Sequence, residues 1–249
     1  MIILKTLEQI NIMNEANKIV HHILDFAEKK VEVGMSSEEL DATMEKELSN
    51  FNGATPTFKG YMGYPKMSCI SVNSEIVHAI PSKRKFNEGD IISIDLGITL
   101  NGFVGDAAKT FILGKPKSDK DISLIKETKR SLYNGIDKMI IGNRLSDIGE
   151  AIDKVAQENN FGNVRNFCGH GIGTRMHESP NVFNYVELRE PDIRLQEGLV
   201  LALEPMFTLG TYKTKILKDK WTVVSRDKSN AAHWEMSVAV TKNGPKILG

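Results

Sequence analysis

The segment Ile91-Ile92-Ser93-Ile94-Asp95-Leu96-Gly97-Ile98-Thr99-Leu100 places apolar residues at every second position from Ile92 and runs directly into Asn101-Gly102. Alternation of this kind marks a β-strand with two different faces, and Asn-Gly is the strongest short-range hairpin signal. A two-residue turn pairs Leu100 with Phe103 and Thr99 with Val104, and the register then pairs Gly97 with Asp106 and Leu96 with Ala107. Asp95 and Asp106 come out on one face as diagonal neighbours, with backbones about 7 Å apart. That spacing suits two metal ions roughly 3.5–4 Å apart. A turn one residue longer would send the carboxylates to opposite faces. Taken alone, two acids on the polar face of a hairpin would simply face water.

Three residues further along the chain alter that balance. In Gly198-Leu199-Val200-Leu201-Ala202-Leu203-Glu204-Pro205-Met206, read as one strand over 198–207, a single carboxylate interrupts an apolar run. An ionised Glu buried there costs on the order of several kcal/mol unless it is paired or metal-bound, and no basic residue lies within eight positions of Glu204. Glu235 sits in a strand over 232–241, where alternation places it with His233 and Ser237. His170 stands between glycines in Cys168-Gly169-His170-Gly171-Ile172-Gly173, and the chain has no phosphate-loop spacing that would make this a nucleotide site.

Charge and cysteine content limit the partners. The 249 residues carry 32 basic and 32 acidic side chains, which removes the footprint of a nucleic-acid or membrane-surface protein and favours a peptide or small neutral ligand. The run Lys83-Arg84-Lys85 reads as a solvated turn. Cys69 and Cys168 are too few and too far apart for a disulfide framework. The apolar opening Ile2-Ile3-Leu4 meets Lys5 and Glu8 at once, so neither a signal peptide nor a membrane span is expected, and the cytosol is the expected compartment.

Helical periodicity over 7–31 and a Ser36/Glu39 capping box predict a first helix pair. Periodic segments over 119–139 and 147–159, with Ser146 as the cap, predict a second. The junction Val33-Gly34-Met35-Ser36 echoes Ile141-Gly142-Asn143-Arg144-Leu145-Ser146, pointing to two related halves, roughly 1–115 and 116–249, of one domain. Residues 52–66 read as an ordered loop, and strands are expected over 68–72, 76–80 and 221–225. Strands after helices, twice over, predict an α+β fold.

Asp95, Asp106, His170, Glu204 and Glu235, in this order, resemble the ligand set of the methionine aminopeptidases, within the pita-bread family that also holds aminopeptidase P, prolidase and creatinase. Further likeness lies in Cys69-Ile70-Ser71-Val72-Asn73, Val77-His78-Ala79-Ile80-Pro81, His177-Glu178-Ser179-Pro180 and Trp221-Thr222-Val223. With 34 positions from His170 to Glu204 and no room for an extra N-terminal domain, the chain looks like a bare type I enzyme. The resemblance implies an antiparallel sheet covered by two helix pairs in pseudo-two-fold arrangement.

It also implies excision of the initiator methionine from nascent chains when the next residue is small, by a metal-bridging hydroxide. Asp95 would bind one metal, Asp106 and Glu235 would bridge both, and His170 and Glu204 would complete the other. Glu204 would move the proton, His177 would donate to the oxyanion and His78 would contact the peptide nitrogen. Tyr61, Tyr64, Cys69, Met176 and Trp221 would line the methionine pocket. A mostly oxygen-donor set suits Mn, Fe or Co better than a thiolate cage would, and among Co, Mn, Fe and Zn the sequence does not choose. A monomer is expected. Ribosome association would fit action on emerging chains, but no basic extension supports it. The chain's own Met1, followed by Ile2, is expected to be retained. His21, His22 and His233 read as ordinary surface or core histidines, although alternation places His233 on the Glu235 face and leaves a part in the site open to it. Met176, Met236 and Gly97 depart from the family pattern, where an aromatic, a histidine and a hydroxyl residue are common.

Overall fold

In the computed structural model, which describes residues 2–249, the hairpin has the register that the Asn-Gly turn dictates. Strands Ile91–Leu100 and Phe103–Ile112 pair with Leu100 opposite Phe103 and Gly97 opposite Asp106. Asn101 and Gly102 both adopt positive φ, 50° and 79°, the combination a type I′ turn requires and one that Gly adopts without steric cost. The expectation for Met1 lies outside the described residues.

This hairpin lies within a nine-stranded antiparallel sheet. Ala54–Pro56 and Cys69–Val72 pair with the first hairpin strand, and Glu235–Thr241 follows the second. Val200–Leu203, Gly169–Gly171 and Glu178–Val182 continue the order, and Gly244–Ile247 pairs with Glu235–Thr241. Two small three-stranded sheets flank it. The 52–66 segment read as a loop therefore contributes a short edge strand, followed by a 3₁₀ turn at Tyr61–Gly63.

Helices α1 (Leu7–Lys30) and α2 (Ser37–Leu48) start at capping boxes built on Thr6/Gln9 and Ser36/Glu39. Their Val20, Ile23, Leu24, Leu40 and Met44 pack on Ile92, Ile94, Leu96 and Ile98 of the hairpin. Helix α1 crosses the hairpin at Gly105, where a Cβ would lie 2.7 Å from Asn17 N. Helices α3 (Asp119–Ile136) and α4 (Leu145–Asn159) pack through Leu132, Ile148, Ile152 and Val155 on Leu201, Leu203, Val238 and Val240. Helix α4 starts earlier than its sequence suggested. Ser146 lies inside it, and its N–H and hydroxyl both donate to Asp192, at 3.0 and 2.9 Å. The basic run behaves as a solvated turn: Arg84 pairs with Glu75 and Lys85 with Glu39. Among the described residues no helix is long and apolar enough to cross a membrane.

The two helix junctions match bond for bond. Gly34 N donates to Phe86 O and Phe86 N to Met35 O, both at 2.9 Å; Gly142 N donates to Leu195 O and Leu195 N to Asn143 O, at 3.1 and 2.7 Å. Each anchor opens a similar segment, Phe86-Asn87-Glu88-Gly89 and Leu195-Gln196-Glu197-Gly198, and enters a sheet strand two residues later. Asp95 follows Phe86 by nine positions and Glu204 follows Leu195 by nine. The pseudo-two-fold arrangement thus relates two of the acidic residues directly.

Candidate metal centre

Asp95 and Asp106 do not face water. They are 8% and 1% exposed, and with His170, Glu204 and Glu235 they line one cavity of about 170 Å³. All but Glu204 are held by backbone pairing. Asp95 lies opposite Ala108 and Cys69, Glu235 also lies opposite Ala108 from the other side, and His170 lies opposite Ala202. Asn17 of α1, its amide donating to Met13 O at 2.9 Å, accepts from Asp106 N at 3.2 Å and fixes the hairpin at that carboxylate.

Ligand atoms of Asp106, His170 and Glu235 lie within 4.8 Å of one another. His170 Nε2 is 3.7 Å from Asp106 Oδ2 and 3.8 Å from Glu204 Oε1. These separations exceed a hydrogen bond but suit ligands sharing an ion through bonds of about 2.0–2.2 Å. His170 Nδ1 lies 2.9 Å from Gly171 O, the partner that keeps its proton there and leaves Nε2 free to ligate.

Three buried oxygens, Asp95 Oδ1, Asp106 Oδ1 and Glu235 Oε1, have no hydrogen-bond partner. Among the described residues no Lys or Arg pairs with any of the four carboxylates. Burial, then the neighbouring acids, pushes Asp95, Glu204 and Glu235 well above the usual carboxylate range. Burial raises Asp106 to about 7 and lowers His170 to about 4. Four crowded acids with unsatisfied oxygens beside a neutral imidazole are a donor set for divalent cations.

Two sequence readings change. The run expected as one strand over 198–207 is two, Val200–Leu203 and Met206–Thr208, broken at Glu204-Pro205 because proline has no N–H for the ladder. Glu204 stands at the break and is 14% exposed. The strand expected over 232–241 is interrupted at Trp234, leaving Ala231–His233 in a small sheet. His233 is no ordinary core histidine. It is buried with both ring nitrogens unpartnered, and its Nε2 lies 4.0 Å from both Glu204 Oε2 and Glu235 Oε2. Burial lowers it to about 3, so it is neutral. By contrast, His21 contacts Leu248 O and His22 pairs with Glu47, as ordinary histidines do.

The other expected residues gather at the same cavity. His78 takes a positive φ of 59°, packs edge-on to Phe167 and is lowered to about 4 by burial. The ring of His177 lies 4.3 Å from that of His170, its Nδ1 is 2.8 Å from the Tyr61 hydroxyl, and burial lowers its pKa. Tyr61, Tyr64, Cys69, Met176 and Trp221 form the apolar wall. Tyr64 is also a structural anchor, its one hydroxyl proton shared between Ser68 O at 3.0 Å and Ala79 O at 3.1 Å.

Phe58 and Met62 line the cavity as well, unforeseen from sequence. Met62 is 79% exposed at the rim in a left-handed conformation. Aromatic density over 58–64 was the available signal. Gly97 is forced by the wall: a Cβ there would meet Phe58 Cε1 at 2.9 Å and Met176 Sδ at 3.3 Å.

Residues 11–242 match the model of metallopeptidase family M24, and the chain belongs to that family. Within it the likeness runs to the methionine aminopeptidases. The chain is 47% identical to the methionine aminopeptidase of Clostridium acetobutylicum, covering all of this chain and 98% of that one. It superposes on the methionine aminopeptidase of Rickettsia prowazekii with a TM-score of 0.96 at 34% identity, covering 100% and 99%. The prolidase of Pyrococcus furiosus superposes at 0.80 with 24% identity, and the match spans 65% of that longer chain, a likeness of fold alone.

Proposed function

We propose that the protein removes the first methionine from polypeptides whose second residue is small. The observation that carries this is the arrangement of one cavity: a cluster of four acids and an imidazole adjoining a wall of Phe58, Tyr61, Tyr64, Cys69, Met176 and Trp221. Aromatic rings and a second thioether suit an unbranched thioether side chain, because sulfur–aromatic contacts are favourable. The same reading places the protein in the cytosol, acting as a monomer on nascent chains, transiently at the ribosome.

The donor set fits two divalent ions. Asp95 would hold one, Asp106 and Glu235 both, and His170 and Glu204 the other. When bound, such ions lower the pKa of a water and polarise the scissile carbonyl. Glu204, at the strand break and partly open to the cavity, accepts the proton of the attacking water and returns it to the leaving amine. His177, held by Tyr61, donates to the developing oxyanion. His78, kept neutral by burial, contacts the nitrogen beyond the scissile bond. The substrate's α-amino group is held against the acidic cluster, which confines cleavage to the first peptide bond.

Metal content and turnover of Met-Ala-Ser, measured in one preparation, test this reading. Release of Met with divalent metal bound is expected, with poor turnover when a bulky residue replaces Ala. Release of X from X-Pro with Met-Ala-Ser left intact would overturn the substrate assignment.

A further inference from the structure

Lys5 lies just before α1, yet its side chain is 3% exposed and its Nζ is 2.7 Å from Glu178 Oε2, a carboxylate equally buried. Nζ also donates to Ile3 O at 2.9 Å, and Lys5 N donates to Gly198 O at 2.7 Å. The other oxygen of Glu178 accepts from Thr174 N at 3.0 Å and Arg175 N at 3.3 Å. Glu178 directly follows His177, and its backbone pairs with Gly171, next to His170. One carboxylate therefore holds both the foot and the inner edge of the loop that carries Met176 and His177 to the cavity.

The fit around this contact is tight. A Cβ on Gly173 would fall 2.5 Å from Lys5 Cε and 2.6 Å from Glu178 Oε1, and one on Gly198 would fall 2.6 Å from Lys5 O. Two glycines leave room for the lysine arm and its backbone. Buried ion pairs add little net stability, and apolar replacements of equal volume are often as stable. What this pair supplies is position. Without the ammonium, the Glu178 carboxylate would be buried with only backbone N–H groups to satisfy it.

We propose that Lys5 is a positioning residue for His177: its ammonium, acting through the Glu178 carboxylate, sets the 173–177 loop so that the His177 imidazole stands over His170 and against the Tyr61 hydroxyl. The proposal rests on the reading of His177 as the oxyanion donor.

The test is a double-mutant cycle on the metal-loaded protein with Met-Ala-Ser, using Lys5→Met and His177→Gln. Misplacement of a catalytic group by about 1 Å costs up to about 10²-fold. Lys5→Met is expected to lower kcat about 10- to 100-fold, more than it raises KM, with bound metal unchanged. In the His177→Gln background it should lower kcat no further. Multiplying effects, or a kcat unmoved by Lys5→Met while His177→Gln reduces it, would overturn the proposal and leave the catalytic reading standing. A kcat unmoved by His177→Gln would remove that reading and this inference with it.

A readout independent of turnover is the NMR signal of the His177 ring. It should shift in Lys5→Met while that of surface His22 stays in place; an unmoved His177 signal would overturn the proposal. If Lys5→Met does not fold, Lys5→Met/Glu178→Gln leaves no unpaired buried charge and should show the same loss of kcat. Native kcat in that double variant would overturn the proposal.

Discussion

Asp95 and Glu204 occupy matching places in the two halves, but the chain delivers them differently. Asp95 lies within an unbroken ten-residue strand, flanked by strands on both sides. Glu204 stands where a four-residue strand stops before Pro205. In a continuous ladder the pleat alone aims a short side chain. At a break, the longer glutamate provides reach and some freedom, which a proton carrier needs and a fixed ligand does not. On the proposed reading, the matching pattern serves two chemical tasks.

The largest effects expected would break this comparison outright. Asp95→Ala, in the unbroken strand, should abolish both stoichiometric metal binding and turnover. Glu204→Gln should lower kcat by roughly 10²–10⁴ while losing proportionately less metal. Equal loss of metal in both variants, read by calorimetry beside kcat, would erase the division of labour.

Next in size is the response of the metal-free protein to pH. The four acids are raised in the folded state, so that state holds protons the unfolded chain has released, and stability falls as pH rises through their folded values. Above about pH 7.5 the site histidines are largely neutral both folded and unfolded, so there the acids act alone. With Asp106 at about 7 and still partly protonated there, the unfolding midpoint without metal should drop between about pH 7.5 and 8.5. Divalent metal should restore it, more at the higher pH. A flat profile without metal would show that the acids are satisfied in some other way.

A smaller effect is expected at the wall. Gly97→Thr places a Cβ against Phe58 and Met176 and should raise KM for Met-Ala-Ser several-fold, overpacking of this kind costing about 1–3 kcal/mol. Unchanged KM would mean that Met176 yields.

The smallest effects compare the helix caps. Helix α2 is capped by its own Ser36, whose hydroxyl accepts from Glu39 N at 3.2 Å. Helix α4 has Arg144 at its cap position, a side chain with no acceptor; Asp147 accepts from Arg144 N at 2.7 Å, and the first-turn Ser146 N–H is satisfied by Asp192, 46 residues away. Ser36→Ala and Asp192→Ala should each cost about 1 kcal/mol in chemical denaturation. If the first is costly and the second neutral, the C-terminal half does not need its long-range cap.

What could be read from sequence follows the same line between local and distant. The hairpin register and the placement of Asp95 and Asp106 are set by Asn101-Gly102, six positions or fewer from each, and they appear as the pattern requires. Pro205 was visible too, but the apolar run around it masked the strand break. Glu235 meets Ala108 across 127 positions, and no local pattern could supply that pairing. It entered through family resemblance, as His170 did. Asp192 as the cap of α4 has no local signal for the same reason, and His233 beside the two glutamates was legible only in part. Alternation did place His233 on the Glu235 face, although the chain reaches that position through a break rather than a continuous strand.

The seam between the halves has a mechanical consequence. Strands Phe103–Ile112 and Glu235–Thr241 pair at only two positions, Glu235 with Ala108 and Met236 with Ala107. Around them His233 N donates to Thr110 Oγ1 at 3.0 Å, and Ser237 Oγ donates to Asp106 O at 2.9 Å. Asp106 and Glu235 therefore belong to the joint itself. Any force or fluctuation that pries the halves apart would pull on these two carboxylates together with the apolar cluster of Ile10, Met13, Val104, Ile172, Val200 and Ala239 that also spans the seam. An ion held by both would act as a rivet as well as a reagent.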